Sequence, residues 1–359
     1  MRSIGQWSDM AIDLLRKLIA TPSLSREEDK TADLIFKFLL ELDLAPKRDK
    51  NNVWAVAGNA PEGAPVLLLN SHHDTVKPNK GWTKDPFQPT IEEGVLYGLG
   101  SNDAGASAVS LLATFAYLSQ LPTLPYQLIV AITAEEEVSG KDGIRDLLPA
   151  LGKIDCAIVG EPTEMQLAIA EKGLMVLDIT AHGKAGHAAR EEGENALYKA
   201  IDDIQWFRTH QFERVSDLLG PVKMSVTQIN AGYQHNVVPD ECSYVVDIRT
   251  NECYQNEEVL EIVKANIAGT INPRSYHLNS SQISLDHPLI QKGKSMGLDH
   301  YGSPTLSDQA MLCCPSLKMG PGMSSRSHTA DEYILLSEIK EAIPLYIKLL
   351  ENLSIPHTA

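Results

Sequence analysis

The sequence predicts an α/β domain interrupted by a smaller α+β insert, and three observations carry that prediction. Short apolar runs recur at Pro65-Val66-Leu67-Leu68-Leu69, at Gln127-Leu128-Ile129-Val130-Ala131-Ile132-Thr133 and at Cys156-Ala157-Ile158-Val159, too short for typical helices and suited to buried strands. Helical patterns alternate with them, which is the signature of an α/β sheet. After residue 173 the pattern changes to strand, helix, strand, strand, helix, strand, the ferredoxin-like order. The expected division is therefore residues 1–173 with 285–359 as one discontinuous domain and residues 174–284 as the insert.

Apolar residues at helical spacing predict helices over 9–19 and 26–42, and a small-residue helix over 106–119. Within the insert, strands are expected over 175–182, 223–230 and 242–250, helices over 195–208 and 257–268, and a polar last strand somewhere in 275–283. Beyond residue 284 come helices and a short strand at 317–319, which must rejoin the first domain.

At 359 residues and 43% hydrophobic, the chain can bury two cores rather than one. No window approaches the roughly 18 apolar residues of a membrane span, and residues 1–10 lack an apolar signal core. Five cysteines, an odd number with Cys313 and Cys314 adjacent, make no disulfide framework and show no Cys-x-x-Cys spacing, so a reducing, cytoplasmic setting is expected. A formal charge of −16 argues against nucleic acid as a partner.

Chemistry concentrates where the strands end. The first run delivers Asn70-Ser71-His72-His73-Asp74, the second Glu135-Glu136-Glu137, the third Gly160-Glu161-Pro162. In open α/β sheets the ligand crevice lies at those carboxyl ends. Two further segments join them: Gly98-Leu99-Gly100-Ser101-Asn102-Asp103, a Gly-rich turn before the small-residue helix, and Arg326-Ser327-His328, after the Gly320-Pro321-Gly322 turn. Taken singly, each has an ordinary explanation: Asp103 a helix N-cap, three glutamates a solvated helix start, Glu161 a turn residue. Their recurrence as ordered strand, turn and acid units, with a late histidine, points to one metal-binding hydrolytic site.

The wording of these segments resembles the M20 family of zinc-dependent amidohydrolases and peptidases, most specifically at Ser-His-His-Asp-Thr-Val (71–76), Gly-Leu-Gly-Ser-Asn-Asp (98–103), Ala-Glu-Glu-Glu (134–137) and Gly-Glu-Pro-Thr (160–163). That resemblance implies a zinc-peptidase-like catalytic domain with a mixed sheet flanked by helices, and an inserted lid that forms a homodimer contact. It implies two Zn²⁺, with Co²⁺ or Mn²⁺ able to use the same nitrogen and oxygen donors. One ion falls on His72 and Glu161, the other on Glu137 and His328, with Asp103 bridging; Glu136 takes the place of the general base and Asp74 that of the carboxylate behind His72. The triplet offers more than one base-plus-ligand pair, of which its second and third members fit the family best.

In the insert, the resemblance makes His187, in Gly186-His187-Ala188, an oxyanion donor reaching a neighbouring subunit's site, and Asn236 and Arg249 substrate contacts. Turn residues and a strand-face salt bridge are the plain alternatives. Gly322 is a candidate backbone donor to substrate or simply a tight turn. Where desuccinylases carry Arg-Arg-Gly-Ser, this chain has Glu171-Lys172-Gly173-Leu174, which makes a diaminopimelate substrate a poorer fit; Lys172 is kept as a candidate for an acyl-side carboxylate. The expected activity is removal of an acetyl or succinyl group from the α-nitrogen of ornithine or a close analogue such as citrulline or lysine. A dipeptidase and a non-catalytic metal-binding scaffold are the alternatives.

Overall fold

The computed structural model describes residues 2–358, and it falls into two compact units. The first contains the chain up to Ile169, Ile283–Tyr301 and everything from Ser307 onward; the second contains Ala170–Gln282 and Gly302–Leu306. The chain thus leaves the first unit at Ala170, slightly before the expected residue 174. It also makes a brief second excursion at 302–306, which no local pattern signals.

The first unit is built on a mixed sheet. Its strands run in the order Lys47–Asp49, Asn52–Val56, Gln127–Thr133, Val66–His72, Cys156–Val159, Ser316–Lys318, after which Lys318 meets Ala168 antiparallel. Val66–His72 pairs in parallel with both Gln127–Thr133 and Cys156–Val159, and Cys156–Val159 with Ser316–Lys318. The outer hairpin is antiparallel, and its Asn52–Val56 strand is antiparallel to Gln127–Thr133. Helices cover both faces, which explains why the central strands are continuously apolar rather than alternating. On one face Ala106–Leu118 packs against Ile4–Ile19 and Leu336–Leu350. On the other, Ile144 and Leu147 meet Leu68, Ile129, Ala131 and Ala157. The Ala106–Leu118 helix is buried along nearly its whole length, and its Ala and Ser residues let it lie close to the sheet.

Three parallel strands therefore end side by side. His72 is opposite Thr133, and Asn70 is opposite Val159. His72, the Glu135–Glu137 turn and Glu161 all follow from that register.

The second unit is a four-stranded antiparallel sheet in the order Lys223–Ala231, Glu241–Thr250, Gly173–His182, Thr270–Leu278. With helices Ala196–Thr209 and Asn256–Asn266, its element order is the ferredoxin-like one. Burial alternates along Gly173–His182, and Met175, Leu177 and Ile179 join Tyr244, Val246, Phe207 and Val259 in one core. The last strand begins at Thr270, five residues before the expected window. Pro273 and a polar composition hid it, and it is an edge strand with two breaks in register, where a proline is tolerated. Among the described residues no helix is long and apolar enough to cross a membrane, and all five cysteines are free.

Candidate metal centre

His72 closes its strand and is 1% exposed. Its Nδ1 sits 3.1 Å from the Asp74 carbonyl and 3.4 Å from Asp74 Oδ1, so the proton placed there by this network leaves the Nε2 lone pair facing the other acids. Nε2 lies 3.3 Å from Asp103 Oδ1, 3.8 Å from Glu161 Oε1 and 3.9 Å from Glu136 Oε2. Burial works against a charged imidazole here, yet Glu136, Asp103, Asp74 and Glu161 together hold its pKa well above the ordinary value.

Asp103 comes from the loop ahead of the Ala106–Leu118 helix, with the Asp103-Ala104 peptide bond cis. Gly100 has φ +74°, and a side chain on it would strike Thr75 at 2.6 Å. Glu332, buried at the far end of the chain, accepts the N–H groups of Gly100 (3.0 Å), Asn102 (2.8 Å) and Asp103 (2.9 Å). The loop so held presents the two Asp103 oxygens to two different histidines: Oδ1 to His72, and Oδ2 to His328 Nε2 at 3.6 Å.

The acid triplet divides its three side chains cleanly. Glu135 adopts a left-handed backbone (φ 58°, ψ 19°), at a cost of about 1–2 kcal/mol for a residue with a Cβ. Its side chain folds over Gly140, where any Cβ would meet Glu135 Oε2 at 1.8 Å. Glu136 is directed to His72, and Glu137 to His328, whose Nε2 is 2.9 Å from Glu137 Oε2. The N–H groups of Glu136 and Glu137 donate to Asp74 Oδ1 and Oδ2 at 3.0 and 3.2 Å. Asp74 thus touches both His72 and the turn. Burial pushes the Glu136 carboxyl well above its ordinary pKa, and Glu161, Asp308 and Glu137 add to it against the pull of His72.

Glu161 follows the Cys156–Val159 strand. Burial, opposed by His72 and reinforced by Asp103, pushes its pKa up to about 8, and its Oε1 is buried without a hydrogen-bond partner. His328 is 55% exposed, and Glu137 raises its pKa to about 9.

These donors fit a pair of divalent cations. His72, Asp103 and Glu137 bring ligand atoms within 4.8 Å of one another, and so do His72, Glu136 and Glu161. Imidazole nitrogens and carboxylate oxygens are the donors Zn²⁺ takes. Four acids gathered around two imidazoles, with one carboxylate oxygen orphaned, leave negative charge that cations would satisfy.

Three acids that shape the centre escaped the sequence reading as site residues. Glu332 cradles the Asp103 loop. Asp308, buried and accepting from Thr133 Oγ1 at 2.7 Å, stands near Glu136. Glu28 accepts from the Glu135 N–H at 3.3 Å. Glu332 carried a signal, following His328 closely; Asp308 and Glu28 resembled ordinary helix-start charges.

Gly322 has φ +91°, its carbonyl accepts from Glu164 N–H at 2.8 Å, and a Cβ there would strike Asn102 Oδ1 at 2.3 Å; it is a close-approach turn. In the second unit, Gly186–His187 pairs with Val237–Val238, and Ala188 N–H donates to the Asn236 carbonyl at 2.9 Å, so His187 and Asn236 are neighbours. Asn236 Oδ1 is buried without a partner. Arg249 is forked onto both oxygens of Asp247, at 2.8 and 3.0 Å, the strand-face salt bridge its position allowed. Lys172 is half-buried; burial, then Lys223 and Arg249, lower its pKa.

Comparison with known proteins matches the sequence to one family. The model for Peptidase family M20/M25/M40 matches residues 68–352. Acetylornithine deacetylase of Proteus mirabilis (strain HI4320) is 30% identical, covering 97% of this chain and 98% of its own length. Succinyl-diaminopimelate desuccinylase of Stenotrophomonas maltophilia (strain K279a) is 28% identical over 95% of this chain and 98% of its own. The fold is similar to that of YXEP of Bacillus subtilis, a dinuclear metal-binding peptidase from the M20 family, with TM-score 0.72 and 18% identity over 96% of this chain and 98% of that one.

Proposed function

The chain belongs to Peptidase family M20/M25/M40, and from that premise we propose that it is a metal-dependent amidohydrolase removing an acetyl or succinyl group from the α-nitrogen of an amino acid, ornithine or a close analogue such as citrulline or lysine. The observation that carries the proposal is Asp103, one oxygen turned to His72 and the other to His328, with Glu136 beside His72.

In this reading His72 and Glu161 would hold one cation and Glu137 and His328 the other, with Asp103 available to both. Two such Zn²⁺ would supply polarisation of the scissile carbonyl and a lowered pKa for the attacking water. Glu136 takes the proton that water loses and returns it to the departing amine. Its position beside His72, with its own amide held by Asp74, suits both halves of that transfer. Asp74 keeps His72 in the tautomer whose Nε2 is free to bind, and fixes the backbone of the base. His187 is proposed as an oxyanion donor acting in a neighbouring subunit, with the second unit as the homodimer contact, and Asn236, Arg249, Lys172 and Gly322 as substrate contacts. Cytoplasmic residence is proposed from the free thiols.

The experiment loads the protein with Zn²⁺, Co²⁺ or Mn²⁺ and assays N-acetyl and N-succinyl forms of ornithine, citrulline and lysine beside a panel of dipeptides. Turnover of the acyl amino acids supports the proposal and names the acyl group. Turnover of dipeptides alone replaces it with a dipeptidase, and turnover of neither replaces it with a metal-binding scaffold.

A further inference from the structure

We propose that Glu28 is a positioning residue for the acid triplet, an inference that rests on the reading of Glu136 as base and Glu137 as ligand. Three consecutive backbone N–H groups, those of Glu135, Glu136 and Glu137, all donate to carboxylates. Asp74 receives the second and third, and Glu28 Oε1 receives the first at 3.3 Å. The N–H before them, on Ala134, donates to Asn52 Oδ1 at 3.0 Å. The whole turn is thereby gripped from the strand end onward.

The grip on Glu135 is where the turn needs it. This residue stands in the left-handed region, as does Ser139 at the other end of the turn (φ 45°), and such a backbone persists only where its surroundings over-determine it. Asp74 holds the amides of Glu136 and Glu137, and the Glu135 carbonyl accepts the Gly140 N–H at 2.8 Å. Glu28 holds the remaining polar group of the reversal, the Glu135 amide, on the side from which the strand enters.

Its chemistry suits the task. Glu28 is 1% exposed and every contact made to its carboxylate is from a donor: the N–H groups of Arg26 and Glu135 on Oε1, and Asn51 Nδ2 on Oε2 at 2.9 Å. Asn51 is itself held through its carbonyl, 2.9 Å from His73 Nε2. The residue after the candidate ligand His72 thus helps anchor the group that orients the base.

The test compares Glu28→Gln, which keeps an oxygen for the Glu135 amide, with Glu28→Ala, which removes it, in Zn²⁺-loaded protein. Backbone hydrogen exchange over residues 133–139 is measured beside metal stoichiometry, Tm, and kcat and KM on N-acetyl amino acids. Glu28→Ala should exchange faster in this segment alone and lose roughly 10²-fold in kcat with KM near wild type, as misplacement of a catalytic group does, and Glu28→Gln should recover most of both. If Glu28→Ala does not fold, Glu28→Asp, which withdraws the carboxylate by one methylene, takes its place with the same expectation. Wild-type exchange and kcat in the alanine or aspartate variant, or a kcat loss in step with Tm and shared equally by Glu28→Gln, overturns the proposal. If the wild type hydrolyses no N-acyl amino acid, the functional reading fails by itself, and exchange and metal stoichiometry still decide whether Glu28 holds the triplet.

Discussion

Glu332 receives the backbone N–H of Asp103 at 2.9 Å, so the carboxylate that faces both histidines is held by another carboxylate far along the chain. Without Glu332 the amides of Gly100, Asn102 and Asp103 lose their shared acceptor. Glu332→Ala should weaken metal binding by about 10–100-fold, the usual penalty for losing a group that orients a ligand. Metal titration by calorimetry measures it, and affinity equal to wild type would remove Glu332 from the centre.

Glu136 and Glu137 are adjacent but face different histidines, which makes their variants separable. Glu136→Gln should lower kcat by about 10²–10⁴-fold while keeping metal content near wild type. Glu137→Gln should lose metal first. Elemental analysis beside kinetics distinguishes them, and loss of metal from Glu136→Gln would show that the base was misassigned.

His187 lies in the second unit, next to Asn236. His187→Ala should lower kcat by roughly 10²-fold, in the range seen when an oxyanion donor is removed, with metal content unchanged. Unchanged turnover would end the idea of a donor acting between subunits. Mixing His187→Ala with Glu136→Gln protein offers a second check, since heterodimers carrying one intact pairing should regain activity.

A pH-sensitive contribution to stability is expected away from the centre. His287 caps the Pro288–Ser295 helix by accepting the Leu289 N–H on Nδ1 at 3.2 Å, and burial lowers its pKa from 6.5. A folded-state pKa below the unfolded one means that the native protein binds fewer protons, so the cap stabilises fully above about pH 6.5 and is lost as pH falls through the folded value. His287→Ala should cost about 0.5–2 kcal/mol at neutral pH, and His287→Asn should keep the cap while flattening the dependence. Denaturant midpoints between pH 5 and 8 test both.

The sequence revealed the parts of this protein that depend on local pattern. Strands buried on both faces announced themselves as short apolar runs, and their ends, at His72, Glu135–Glu137 and Glu161, marked where polar chemistry would gather. The alternation of Gly173–His182 and the helix beginning after Asn195 were equally plain. What stayed hidden depends on contacts between distant residues. The Lys47–Asp49 and Asn52–Val56 hairpin passed unmarked, its first strand being three charged residues and its second only five residues long, although Asn51 and Asn52 from it support the acid triplet. Glu28 reads as a helix-start charge until the fold brings it against Glu135. The division of labour within the triplet, with Glu135 turned over Gly140, is set by backbone conformation that three identical side chains cannot disclose.

His328 enters the centre only after the chain has passed through the whole second unit and returned. During synthesis, the nascent chain therefore carries His72, Asp103, Glu137 and Glu161 for a long interval without the last imidazole. If His328 holds a cation as proposed, capture of that ion would be an event of late folding, and its binding energy would stabilise only molecules whose C-terminal segment has already docked.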